Sequence, residues 1–297
     1  MKLTYNQFEV LTAIEKNKTK LSQRELSKET NLSLGTINKI ISELLENNLI
    51  DKDNLITKKG LEVLEPYCVK RAIFLAAGFG SRMVPITLNT PKPLVLVNGK
   101  KIIETLLDAV VKAEIPEIII VTGYLGEQFE ILLKKYPNIK FVHNEKYNEA
   151  NNISSAYLIK DKFANSYVLE SDLILYNPNL IRKYEYQSNF LGKYVEVTDD
   201  WCLETKNGII TKEQIGGYNC YQMYGISYYD EKTAKQMEID IDKVYNMPGG
   251  KEKYWEQVML DVYKKNYQIA IRPCYEGDIV EIDTFNELKT IDKTYDV

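Results

Sequence analysis

The sequence predicts an α/β chain built on a mixed, mostly parallel sheet, with a separate small helical domain in front of it. Three observations carry this. From Arg71 on, apolar runs of strand length alternate with amphipathic stretches of helical period. The first of those runs leads into a turn that holds Gly78, Gly80, Arg82 and Lys92. Before it, residues 1–66 carry helical stripes and a short strand pair, and Glu65-Pro66-Tyr67 closes them off. The expected domains are 1–66 and 70–297, joined by a short linker.

The composition bounds the function. A chain of 297 residues, 44% hydrophobic and 27% charged, has the make-up of a soluble globular protein. Its net charge of −4 gives no overall basic character for nucleic acid. Cys68, Cys202, Cys220 and Cys274 lie far apart with no CxxC pair, which argues against a zinc site or a disulfide framework and suits a reducing cytoplasm. No apolar run has the length of a membrane span, and there is no signal-peptide core. With His143 as the single histidine, histidine-based nucleophilic catalysis is not expected. The 22 tyrosines include aromatic walls available to a cation.

In the N-terminal segment, Phe8, Leu11 and Ile14 stripe a helix from Tyr5 to Lys16. Ser22 and Glu25 form a capping box for a second helix that runs to Thr30. A third helix is expected over 34–47, with Ile37, Ile40, Ile41, Leu44 and Leu45 inward. Leu49-Ile50 and Leu55-Ile56-Thr57, on either side of a polar turn, read as a two-stranded wing, and Lys58 to Leu64 as a last short helix. This arrangement resembles the winged helix-turn-helix domains of bacterial regulators. The resemblance implies that Ser33, Thr36, Asn38 and Lys39 of the third helix could reach DNA. Basic and acidic residues are nearly equal in number here, a weak footprint for a duplex. DNA binding and a role in dimerisation or regulation both stay open, and so does a homodimer.

The rest is organised around Arg71 to Leu94, RAIFLAAGFGSRMVPITLNTPKPL. Ala72 to Ala76 is an apolar strand. In the turn after it, Ala76, Ala77, Gly78, Gly80 and Ser81 are small, so backbone N–H groups can close on a phosphate chain. Arg82 adds a planar donor fork and Lys92 a point charge. Pro91 and Pro93 are expected to keep Lys92 in an extended segment. A strand end at Val95 to Val97, a helix over 102–113, a strand over 118–122, a helix through Lys134 and a strand over 139–142 then follow. The alternation places ligands at the carboxyl ends of the strands. "NNISSAYL" reads as a helix start, where Asn152 and Ser154 either hydrogen-bond a base or ribose or cap the helix. Tyr167 to Asp172 is a strand that ends in acids. Strands are also expected around Ile209-Ile210 and over 220–227, and helices from Asp230 to Tyr245, from Lys253, and from about Thr284. Glu281 and Asp283 share one face of a strand end, because side chains alternate there.

The stretch from Arg71 to Leu94 resembles the signature of nucleotidyltransferases that activate sugar phosphates and related alcohol phosphates. The likeness covers about three quarters of the chain, from Lys70 on. "EIDTFNEL" resembles that family's closing metal motif, and within the family "VTGYLGEQF" and the later aromatic residues resemble the bacterial CTP:phosphocholine cytidylyltransferases. The resemblance implies a Rossmann-like nucleotidyltransferase fold, and Mg²⁺ as cofactor held by Asp172 and Asp283, with Glu281 a direct or water-mediated partner and Glu170 an accompanying acid. It implies that Arg82 and Lys92 are catalytic, and that Trp201, Tyr254 and Glu256 form a choline pocket, with Glu256 standing where the family has an aspartate. The implied reaction joins CTP and phosphocholine to give CDP-choline and pyrophosphate. A sugar 1-phosphate, phosphoethanolamine or 2-aminoethylphosphonate is the alternative acceptor. A DNA-binding regulator with a metabolite-sensing transferase domain is the alternative of another class.

Overall fold

The computed structural model describes residues 1–296 and divides into two units. The first comprises Met1–Cys68 together with Tyr184–Tyr186. Its helices are α1 (Tyr5–Asn17), α2 (Gln23–Thr30), α3 (Leu34–Glu46) and α4 (Lys58–Leu64). Thr4 and Ser22 both build capping boxes, and the Ser33 hydroxyl accepts the Thr36 N–H. Phe8, Leu11, Ile14, Leu26, Ile37, Ile40 and Leu44 fill the core, each adding roughly 1.5–3 kcal/mol by burial. The expected two-stranded wing is a single bridge, Ile50 to Ile56. Asp51 folds the segment between them into a tight turn, its carboxylate accepting the N–H groups of Asp53 and Leu55 at 2.9 Å, which leaves too few residues for a ladder. The segment Tyr184–Tyr186, far away in sequence, adds Tyr184 and Tyr186 to this core, and the Tyr186 ring stacks on Tyr67 at 5.7 Å. The expected boundary at residue 66 had no place for it.

The second unit holds a seven-stranded sheet. Its strands are β1 (Arg71–Ala76), β2 (Glu117–Thr122), β3 (Ile139–His143), β4 (Ser166–Glu170), β5 (Asn189–Lys206), β6 (Ile209–Tyr229) and β7 (Ala270–Cys274). The order across the sheet is β7-β5-β6-β4-β1-β2-β3. β1 is parallel to β2 and β4, and β3 to β2, while β6 runs antiparallel to β4 and β5. One apolar cluster packs α5 (Ile102–Lys112) on one face, through Ile103, Leu106, Leu107 and Val110. A second packs α7 (Glu231–Asn246) on the other, through Met237, Ile241 and Val244. Both faces of the central strands are therefore covered, which is why they read as unbroken apolar runs.

Some elements differ from the expectation. The segment Gly126–Lys134 is a 3-10 helix rather than an α-helix, entered through Leu125 at φ 48°. Lys92–Leu94 is a 3-10 turn rather than extended; Pro93 sits in it without losing a hydrogen bond, and Leu94 N–H donates to the Pro91 carbonyl at 2.8 Å. From Lys253 the chain makes turns and a short π-helix, Val258–Val262. The 18-residue β5 was not foreseen. It and β6 form a long ribbon that folds back, so Cys202 pairs with both Gln214 and Gln222. Among the described residues the cysteines form no disulfide with one another, and no helix is long and apolar enough to cross a membrane.

Candidate active site

Parallel pairing places the ends of β1 and β4 side by side, with Leu75 opposite Glu170. The turn after β1 and the acids after β4 therefore share one edge of the sheet. Gly80, at φ 63°, turns the loop back into a 3-10 turn over Ser81–Met83. A two-stranded ribbon then joins distant parts of the chain. Leu173–Leu175 pairs antiparallel with Ile279–Glu281, and the Ile282 N–H donates to the Asp172 carbonyl at 3.2 Å. Ile282 is fully buried, and Glu281 and Asp283 flank it on the side of Asp172.

Lys92 is buried and sits between these acids. Its Nζ lies 2.8 Å from Asp172 Oδ2 and 3.1 Å from Asp283 Oδ1. Burial disfavours the ammonium, but Asp172 and then Asp283 outweigh it, and the Lys92 pKa is raised. Arg82 grips Asp283 with two N–H donors at 2.7 and 3.0 Å, yet its side chain stays 65% exposed, so this pair is easily given up to a stronger anion. Oxygens of Glu170, Asp172 and Glu281 lie within 4.8 Å of one another. Burial first, and Asp172 next, push the carboxyls of Glu170 and Glu281 well above their ordinary pKa. Asp172 Oδ1 has no hydrogen-bond partner. Crowded carboxylates with an open oxygen suit a divalent cation with oxygen ligands. Asp283, also expected among the metal ligands, lies beside this cluster and pairs with Arg82 and Lys92, as Asp172 pairs with Lys92. Gly225 makes the room for Glu170, because a Cβ there would lie 2.5 Å from its Cγ.

Further along the cavity, the Trp201 and Tyr254 rings meet edge to face, with centroids 5.7 Å apart. Glu256 lies at 5% exposure, and its Oε2 has no partner. Burial above all, with the Glu213 carboxylate adding to it, pushes the Glu256 carboxyl up to about 8. Trp255, between the two pocket residues in sequence, points into the core against Phe163 and Tyr229, each at 5.8 Å.

A single cavity of about 720 Å³ collects every residue expected at the site. Ala76, Ala77, Gly78, Gly80, Ser81, Arg82 and Lys92 line one part; Asp172, Glu281 and Asp283 another; Trp201, Tyr254 and Glu256 a third. Asn152 and Ser154 also line it, but their polar atoms are engaged. Asn152 Oδ1 accepts the Trp255 N–H at 2.9 Å, and the Ser154 hydroxyl donates to the Asn151 carbonyl and accepts from Asn144. Neither side chain caps the helix Ile153–Leu158, α6. Through its Oδ1, Asn152 thus steadies the Trp201–Tyr254–Glu256 end. The expectation left out Phe79, Asn144, Tyr147 and Asp200, which also line the cavity. Phe79 contacts Tyr124 and Tyr147 at ring distances of 5.1 and 5.3 Å. Its exposed position between two glycines was the available signal.

Comparison with known proteins agrees with this geometry. Residues 71–218 match the model of the nucleotidyl transferase family, and residues 3–51 that of winged helix-turn-helix DNA-binding domains. The chain is 35% identical over 228 residues to a 2-aminoethylphosphonate cytidylyltransferase of Lancefieldella rimae, covering 75% of this chain and 92% of that one. It is 34% identical to the choline-phosphate cytidylyltransferase of Streptococcus pneumoniae, covering 75% and 97%. The solved structure of the CTP:phosphocholine cytidylyltransferase from Streptococcus pneumoniae superposes with a TM-score of 0.71 over 75% of this chain and 98% of that one, at 34% identity. A nucleotide-sized cavity with paired cations and acids at the strand ends, and relatives matched almost end to end, place this chain in the nucleotidyltransferase family, among its cytidylyltransferases and with a winged helix-turn-helix domain added at its N-terminus.

Proposed function

We propose that the enzyme transfers CMP from CTP to phosphocholine, releasing CDP-choline and pyrophosphate. The observation that carries the acceptor is the edge-to-face pair of Trp201 and Tyr254, which lines the same cavity as acidic side chains and Lys92. A quaternary ammonium has no N–H to donate, so aromatic faces and a nearby carboxylate are what can hold it.

A phosphate oxygen of the acceptor bonds to the α-phosphorus of CTP as the bond to the bridging oxygen breaks, and pyrophosphate leaves with that electron pair. The nucleophile is already an anion, so no general base is needed. The work of the chain is positioning and charge neutralisation. Amides of the turn after β1, and Arg82 released from Asp283, hold the β- and γ-phosphates. Lys92 neutralises the α-phosphate and the incoming phosphate. Asp172, Glu281 and Asp283, with Glu170, would hold Mg²⁺, which when bound lowers the repulsion between the two anions.

A second acceptor, 2-aminoethylphosphonate, is favoured by one observation: the free Oε2 of Glu256 can accept an N–H that only a primary ammonium offers. Pyrophosphate release measured with CTP against phosphocholine, 2-aminoethylphosphonate and a sugar 1-phosphate tests the assignment. Phosphocholine turning over fastest, with free choline competing, supports it; a preference for the sugar phosphate overturns it.

For the N-terminal unit, duplex DNA is the supported partner. Its match to DNA-binding domains and the exposed Asn38 and Lys39 of α3 favour this. Ser33 and Thr36, by contrast, bond each other at the start of α3. A gel shift at moderate salt that is lost on Asn38→Ala with Lys39→Ala supports it; no shift at low salt rejects it.

A further inference from the structure

We propose that Asp200 is the anionic wall of the head-group pocket and supplies the charge that selects a cationic acceptor. The inference rests on the acceptor reading above and adds to it the residue that reads the charge.

Successive side chains of a regular strand point to opposite faces, so Asp200 and Trp201 could not both reach one cavity. β5 is not regular there. Its pairing with β6 shifts between Thr198 and Trp201, and an extra residue of this kind re-aims the neighbouring side chains. As a result Asp200, Trp201, Tyr254 and Glu256 line the same cavity. The Asp200 carboxylate is also fixed in place. Its Oδ1 accepts the Trp201 N–H at 2.7 Å, and its Oδ2 faces the Gln222 amide at 3.4 Å. The Asp200 N–H in turn donates to the Thr198 hydroxyl at 3.1 Å. The carboxylate and the indole are thus parts of one local structure, and the charge moves with the aromatic wall.

Glu256 is poorly suited to the same task. It is buried, and the half-buried Glu213 carboxyl acts on it. Tyr229, whose hydroxyl also lacks a partner, feels both of them. Burial and a like charge nearby favour the protonated form of Glu256, which gives a quaternary ammonium less charge than an ionised carboxylate does. Lys253 is the nearby cation, but it is drawn off to Asp261 at 3.7 Å. Glu256 then contributes to the pocket's lining, and Asp200, which lines the same cavity, holds the charge.

The test compares equilibrium binding of phosphocholine with that of 3,3-dimethylbutyl phosphate, the same shape with a neutral carbon in place of nitrogen. The ratio of the two dissociation constants isolates the charge. Asp200→Asn is expected to lower the wild-type ratio roughly two- to fivefold, the scale of a partly exposed ion pair. Asp200→Glu should restore most of the preference, and Glu256→Gln should leave most of it in place. If Asp200→Asn does not fold, Asp200→Ser carries the same comparison. A ratio unchanged by loss of the Asp200 charge but abolished by Glu256→Gln overturns the assignment. A wild type that does not distinguish the two ligands overturns it as well, and in that case the cationic-acceptor reading falls with it.

Discussion

Lys92 is the side chain on which the charges of the site converge: two carboxylates within 3.1 Å hold it, and neither has another buried cation beside it. Removing it should act mostly on the reaction step. Lys92→Ala is expected to lower kcat by about 10²–10³-fold, the usual loss for one preorganised charge at a reacting centre, with much less change in phosphocholine affinity. Steady-state kinetics beside a calorimetric titration of phosphocholine check this, and an unchanged kcat removes Lys92 from the mechanism. Glu256 makes a different prediction. Its pKa in the folded enzyme is about 8 against an ordinary 4.5, so the folded state holds a proton that the unfolded chain has given up. That stability is fully present below 4.5 and is lost as the pH rises through about 8, and Glu213, raised to about 7, adds to it with the same sign. The unliganded enzyme should therefore melt at a lower temperature at pH 8.5 than at pH 6, and Glu256→Gln should flatten the difference; an identical slope in the variant contradicts the buried-proton account. Residue identities were legible wherever chemistry needs a type at a spacing, as with Arg82, Lys92 and the Glu281-Ile282-Asp283 triplet. Partners were not. That Asp283 faces Arg82 and Lys92, or that Asn152 turns to Trp255, depends on contacts across 201 or 103 residues.

At the scale of elements, the turn after β1 and the turn that carries Lys92 are packed directly on each other. A Cβ on Gly80 would lie 2.9 Å from the Lys92 Cβ and 3.1 Å from the Thr87 methyl, in a backbone conformation that already disfavours side chains. Gly80→Ala is expected to cost about 1–2 kcal/mol from the backbone alone, and to shift Lys92. Denaturant unfolding should show that loss together with a fall in kcat, and wild-type values for both would reject the packing argument. The apolar runs of β1, β2 and β4 were readable because both faces are covered. β5 was not, since it carries Lys193, Glu196, Asp199, Asp200 and Glu204 along a half-exposed ribbon. Its bulge leaves no local pattern, which is why Asp200 stood unnoticed beside Trp201. The helix expected after Gly123-Tyr124 has the right period, but Gly126–Lys134 forms 3-10 turns, entered through a left-handed Leu125.

For the whole molecule, the two units follow different rules. The N-terminal one was readable down to its caps, because Ser22 with Glu25 and the Ile37–Leu44 stripe are local signals; its reduced wing and the added Tyr184–Tyr186 segment are not. The larger unit brings fifteen expected residues from seven stretches of sequence to one cavity, a convergence that follows from the sheet order and from the ribbon between Leu173–Leu175 and Ile279–Glu281. The central claim is that this cavity joins a nucleotide to a phosphorylated cation. ³¹P NMR of the full chain with CTP, phosphocholine and Mg²⁺ reads it most directly. The account predicts that the phosphomonoester signal of phosphocholine is consumed in step with the appearance of pyrophosphate and of two coupled diphosphate-diester resonances. Persistence of the phosphocholine signal while CTP is hydrolysed, or while nothing changes, would contradict it.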